Sequence, residues 1–164
     1  ELTNRAKFAC TQFWLQPITE FLRIGFKYYN PKFQGFTAAK SYNSKNAVKG
    51  VYPDFEVDPA LALVSFGPLE QADVASVTVD TPLTLTITWS GGDTGSMQKA
   101  MILLYDVENG KALMDQSATW RKTGRFDWTL PDFYAGKTFH VFLAFVSSDM
   151  EKQSNSQYLG SVTL

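Results

Sequence analysis

The sequence has one cysteine, Cys10, and one histidine, His140, in 164 residues. A single cysteine excludes an internal disulfide and a cysteine-based metal site. A single histidine leaves the usual histidine-rich zinc and iron sites without ligands, so no metal and no cofactor are expected. No stretch approaches the ~20 apolar residues of a membrane-spanning helix, and no charged-then-apolar leader opens the chain. Because the first residue is Glu1 and not methionine, an N-terminal piece is expected to have been removed. Neither an internal repeat nor a low-complexity tract interrupts the sequence.

Aromatic residues, in contrast, are plentiful: thirteen phenylalanines, seven tyrosines and four tryptophans within an apolar share of 45%. That composition belongs to a folded chain and not to a disordered one. At this length one domain, or one domain with an appendage, is expected, and folding buries about 70% of the unfolded chain's surface.

Charge is unevenly placed. Residues 1–50 carry eight basic side chains against Glu1 and Glu20, a net of +6, whereas residues 51–164 carry seven against fourteen acidic ones, a net of −7. Such a split marks either a nucleic-acid surface or two parts of one protein that attract each other.

The first fifty residues read as a helical layer. Thr3 or Asn4 can cap a helix over 3–16 whose apolar stripe is Ala6, Ala9, Cys10, Phe13 and Trp14. Pro17 suits the first turn of a second helix with Ile18, Phe21, Leu22 and Gly25 on one face, stopped by Asn30-Pro31. A third helix is expected from Phe36 to Val48, ended by Gly50. Residues 51–72 read as an extended linker, flanked by Pro53 and Pro59, with a peripheral strand at Leu61–Phe66.

From residue 73 onward the pattern is alternation of period two between turn residues, which predicts seven strands: 74–79, 83–89, 99–106, 112–118, 125–130, 138–147 and 157–164. The Asn109-Gly110 pair is expected to close a tight hairpin. Strands 74–79, 83–89 and 125–130 have one polar face each. Strands 99–106 and 138–147 are apolar on both faces, with Phe139, Val141, Leu143 and Phe145 opposing His140, Phe142, Ala144 and Val146. Such strands have something packed above and below. In a seven-strand Greek-key sandwich the first, second and fifth strands form one sheet, and the third, fourth, sixth and seventh the other. The doubly apolar strands fall in the second sheet, and the only material left to cover it is residues 1–50. The expected fold is therefore α+β: N-terminal helices on the outer face of one sheet of a seven-stranded antiparallel β-sandwich over 73–164.

The motifs LTLTITW, ending at Trp89, and TLPDFYAGKTFHVFLAF resemble the second strand and the turn into the sixth strand of an immunoglobulin-like or fibronectin type III module. Phe139 stands where that module usually has a corner tyrosine. Across nearly the whole chain, FWLQPITEFLRIGFKYY, AAKSYNSKNAVKGVYP and SNSQYLGSVTL are similar to an uncharacterised family of hypothetical proteins from Bacteroidetes. The resemblance implies a further glycine- and basic-rich segment before Glu1. It implies no activity, and no functional residues carry over from it.

Two candidate binding sites follow from the residues. The run FKYYNPKF places Lys27, Tyr29 and Lys32 where aromatics could stack bases and lysines neutralise phosphates; equally, its aromatics could face the sheet. The loops at one end of the sandwich, 91–97, 119–124 and 149–155, gather Asp93, Trp120, Arg121, Lys122, Asp149 and Glu151 into a mixed polar surface suited to ligands, or into ordinary turns. His140 reads as a hydrogen-bonded structural residue and Cys10 as a small core residue. Asp54, Glu56 and Asp58 alternate like the first ligands of a calcium loop but lack its glycine and distal glutamate. No nucleophile motif accompanies His140. The expectation is a non-enzymatic interaction or structural module that binds another protein, an assembly or a second copy of itself through the sandwich loops or through the segment expected before Glu1. Nucleic-acid binding through residues 1–50 and carbohydrate binding through Trp120 are the alternatives.

Overall fold

The computed structural model describes residues 1–93 and 97–164. Three helices come first: α1 (Leu2–Leu15), α2 (Thr19–Gly25) and α3 (Gly35–Asn46), with one turn of 3-10 helix at Gln16–Ile18 joining α1 to α2. A small antiparallel hairpin follows, β1 (Val48–Val51) with β2 (Asp54–Val57), turning at a cis Tyr52–Pro53 peptide. The remaining strands are β3 (Val74–Thr81), β4 (Thr84–Ser90), β5 (Gln98–Asp106), β6 (Lys111–Trp120), β7 (Arg125–Thr129), β8 (Thr138–Ser147) and β9 (Gln157–Thr163). They make two antiparallel sheets, a three-stranded one in the order β3-β4-β7 and a four-stranded one in the order β6-β5-β8-β9. The protein is thus α+β, helices first and antiparallel sheets after.

Period-two alternation explains how the two cores divide. From β4, Leu85, Ile87 and Trp89 meet Ala100, Ile102 and Leu104 of β5 and Phe139, Val141, Leu143 and Phe145 of β8 between the two sheets. The intervening residues Met101, Leu103 and Tyr105, with Phe142, Ala144 and Val146, point the other way and are buried against Trp14, Leu15, Ile18, Phe21, Leu22 and Phe26. A side chain of that size stabilises by ~1.5–3 kcal/mol when fully buried. Without the helices the outer face of the central β5–β8 pair would meet water, so the helices complete the core of the four-stranded sheet. The polar faces of the three-stranded sheet are tied by cross-strand hydroxyl contacts, Ser76 with Thr88 and Thr84 with Thr129.

Several local expectations need correction. Of the expected stripe on α1, Trp14 is buried and Cys10 packs against the core, but Ala9 is exposed and Phe13 is 82% exposed, and the buried face is completed by Thr11 and Leu15. The larger side chains one position on continue directly into Ile18, Phe21 and Leu22, and they take the sheet. The helix also starts earlier than either expected cap, with Glu1 at its N-cap position and no side-chain cap bond.

Residues 51–58 are not an extended linker: Lys49 of β1 pairs across the hairpin with Glu56, and its ammonium also reaches Asp58, which accounts for two of the three alternating carboxylates. Gly50 lies inside β1, and α3 ends at Asn46.

Residues 61–66 form no strand. Their backbone is satisfied instead by side chains and helix ends. Leu63 N donates to Asn43 Oδ1, Val64 N to Ser156 Oγ and Phe66 N to the Gly25 carbonyl. The alternating burial that looked like a strand comes from a segment wedged between α2, α3 and the start of β9.

The β5–β6 connection is a four-residue turn, since Asp106 pairs with Lys111. Only Gly110 takes a positive φ there, while Asn109 is held by Asp106, whose carboxylate accepts from the Asn109 backbone and side-chain amides.

Candidate functional site

The loop end of the sheets and the α2–α3 connection come together, and the sequence explains the meeting. Helix α2 stops at Gly25, where an added Cβ would collide with the Val64 carbonyl. The chain then turns through residues 26–34, with Asn30 Oδ1 accepting from Lys32 N and the Asn30 carbonyl from Phe33 N. Helix α3 begins at Gly35, pressed against the Leu22 carbonyl so closely that only glycine fits. From the sheet side, the β8–β9 turn is organised by Asp149, whose Oδ1 accepts from the Ser147 hydroxyl (2.6 Å) and from Glu151 N (3.0 Å). Glu151 is thereby presented to Lys27, and the ion pair closes at 2.7 Å.

Between these pieces lies an open groove of about 940 Å³, lined by Arg23, Lys27, Tyr28, Pro31, Phe33, Gln34, Gly35 and Glu151. Tyr28 is 49% and Phe33 52% exposed, so one wall is aromatic and accessible. Arg23 and Lys27 give the opposite character, and the first turn of α3 adds to it. That helix has Gln34 at its N-cap with no side-chain cap bond and no acidic residue in its first turn. Its leading N–H groups carry the positive end of the helix dipole. The groove thus combines an apolar wall with convergent positive potential and one carboxylate.

Of the three residues expected to serve nucleic acid, Lys27 is at this groove, in its ion pair with Glu151. Lys32 is exposed beside it. Tyr29 is turned inward: its ring packs on Phe66 at 4.9 Å, Phe26 at 5.6 Å and Tyr42 at 6.3 Å, in a cluster that closes the bottom of the helical layer.

The loops at this end of the two sheets are divided in a similar way. Trp120 ends β6 and is 37% exposed, with the Lys99 ammonium 4.8 Å over its ring. Lys122 is exposed and borders a hollow of about 250 Å³ with Trp89, Gly91 and Gly124. Asp93 is exposed on the neighbouring loop, the rest of which, residues 94–96, lies outside the described residues. Arg121 requires a correction, because it is not a surface residue at all: it is 2% exposed. Its guanidinium donates to the Glu70 carbonyl (2.6 Å), Gln98 Oε1 (2.9 Å) and the Gly91 carbonyl (3.2 Å), and stacks 3.9 Å over the Phe145 ring. Burial pulls its pKa down, while the carboxylates of Asp93, Glu70 and Asp73 oppose that shift. Its own carbonyl accepts from Trp89 Nε1 at 2.7 Å. The residue pins three loops to the end of the core.

His140 donates to or accepts from the Tyr158 hydroxyl at 2.7 Å, and desolvation lowers its pKa against the opposing pull of Asp106. Cys10 Sγ contacts the Phe55 carbonyl at 3.4 Å, and burial raises the thiol's pKa. Both are engaged in packing. Among the described residues no helix is long and apolar enough to cross a membrane.

A family model described as a family of unknown function (DUF6266) matches residues 1–160. The chain belongs to this family. No curated protein matches it. The DUF6266 match runs through the helices, the hairpin and both sheets, so the helical layer and the sheets that meet at the groove belong to one family unit.

Arg23 and the uncapped start of α3 carry no sequence motif that marks them as site elements, and Lys27 and Glu151, which pair, lie far apart in the chain. The only sequence signal for that pairing is the opposition of a basic first third and an acidic remainder.

Proposed function

We propose that this protein is a non-enzymatic interaction module that binds another protein through the groove between α2, the start of α3 and the β8–β9 turn. One observation carries the reading. Exposed Tyr28 and Phe33 stand beside Arg23 and Lys27 in a concave surface of about 940 Å³. Aromatic anchors next to arginine are the composition of protein-binding hot spots. The strand grouping β3-β4-β7 against β6-β5-β8-β9 supports an immunoglobulin-like or fibronectin type III-like sandwich as the scaffold, and the motif resemblance supports a Bacteroidetes source.

Nucleic-acid binding is the second reading, favoured by the same exposed rings next to Lys27 and Lys32. One contact weighs against it: Tyr29 is committed to the aromatic cluster and is not free to stack on a base. The carbohydrate reading weakens because Lys99 covers one face of Trp120.

The test places a photo-crosslinking phenylalanine at Phe33 in the full chain, expressed in its native cells. A discrete protein adduct that disappears with Arg23→Glu is the expected result. Adducts to nucleic acid, or a protein adduct indifferent to Arg23→Glu, would overturn the reading.

A further inference from the structure

Resting on that reading of the groove, we propose that its ligand is an acidic peptide segment bearing an aromatic or large aliphatic side chain, and that Glu151 occupies the ligand's carboxylate position in the unbound protein. The charge of the surface selects the class. Arg23 and Lys27 converge on the groove together with the leading N–H groups of α3, whose first turn contains no acidic residue. Opposed to them stands a single carboxylate, Glu151, and it is already in contact with Lys27 at 2.7 Å. That contact shows the geometry a carboxylate adopts here. It is also exchangeable, because both partners are largely solvated, and an ion pair of this kind holds weakly.

The apolar wall sets the second requirement. Tyr28, Pro31 and Phe33 offer no charge and little hydrogen bonding, so a polyanion alone would leave them wet. A peptide that alternates acidic and apolar side chains fills both halves. Its carboxylates meet Arg23, Lys27 and the α3 N-terminus, and an aromatic ring lies against Phe33. Glu151 then swings out with its turn, which Asp149 and Ser147 keep in shape. The ion pair acts as an internal competitor that sets the affinity.

The experiment measures fluorescence anisotropy of a fluorescein-labelled Glu-Glu-Phe-Glu-Leu-Glu peptide with the purified full chain, at low and high salt. Controls are the same peptide with glutamines for glutamates and an oligothymidylate of matching length. The expected results are saturable binding that weakens with salt, and a loss of about tenfold or more for the glutamine peptide and for Arg23→Glu. Glu151→Gln is expected to tighten binding about two- to fivefold, the worth of an exposed ion pair. Circular dichroism of both variants, which alter exposed side chains, checks that the fold is kept. Equal binding of the glutamine peptide, tighter binding of the oligonucleotide, or weaker binding by Glu151→Gln would overturn the proposal. If no peptide binds while the Phe33 crosslink to a protein still forms, the acidic specificity is wrong and the groove reading stands. If both fail, the groove reading falls with it.

Discussion

The hydroxyl of Tyr105, near the end of β5, donates to the carbonyl of Trp14 at the end of α1, 2.5 Å away and 91 positions apart in sequence. The two rings also meet edge to face, 5.0 Å between centroids. Helix α1 thus hands one of its orphan C-terminal carbonyls to the sheet it covers, and the sheet's outer face finds a polar partner within an otherwise apolar layer.

Burial pushes the Tyr105 phenol up to about 12. Its folded pKa lies above the unfolded value, so the contribution is fully present below about pH 10 and is lost as the pH rises from there toward 12. Urea midpoints measured between neutral and strongly alkaline pH should fall over that window. Tyr105→Phe should remove much of the fall and cost about 1–2 kcal/mol at neutral pH through the unpaired Trp14 carbonyl. A Phe variant as stable as the parent would show that the bond contributes nothing.

Arg121 is a buried cation held by neutral acceptors and an aromatic ring, and its replacement should act on stability. Arg121→Ala strands the Glu70 and Gly91 carbonyls and Gln98 Oε1 and, at about 1–3 kcal/mol for each group left buried without a partner, is expected to cost about 3–5 kcal/mol. Arg121→Lys, which cannot reproduce the fork, should still lose about 2 kcal/mol. Chemical denaturation checks both. Loss of ligand binding without loss of stability would return Arg121 to the surface role its sequence position suggested.

Tyr29 separates packing from base stacking. Truncation to Ala empties a place among Phe26, Tyr42 and Phe66 and should destabilise by about 2–3 kcal/mol, with no specific effect on peptide or oligonucleotide affinity in the folded variant. Tyr28→Ala should do the reverse, because its ring is on the groove wall. Thermal melts paired with anisotropy titrations read both.

The strands were legible because each has a face that must be buried. Ile87 and Trp89 against Thr86 and Thr88 leave one orientation open, and the doubly apolar β8 demands a cover. Helix α1 was less legible. Phe13 and Trp14 are neighbours, and a helical wheel assigns both to one broad stripe; only the continuation into Leu15 and Ile18 decides which turns inward. Segment 61–66 misled for a different reason. Alternating burial is shared by strands and by irregular chain wedged between layers, and the side chains that satisfy it, Asn43 and Ser156, are distant in sequence.

The site itself was half legible. Basic and aromatic residues in 26–33 announced a surface. Nothing local announced that Tyr29 would turn in while Tyr28 stayed out, that Arg121 would be buried, or that Glu151 would arrive from the far end of the chain.

The claim on which the groove depends is that helices and sheets fold as one body, and native-state hydrogen exchange tests it most directly. The amides of Phe21 and Leu22 in α2 and those of Leu103 and Phe142 in β5 and β8 should converge on one opening free energy with the same denaturant dependence. Exchange of α2 and α3 through a separate low-energy opening, with β5 and β8 still protected, would contradict it.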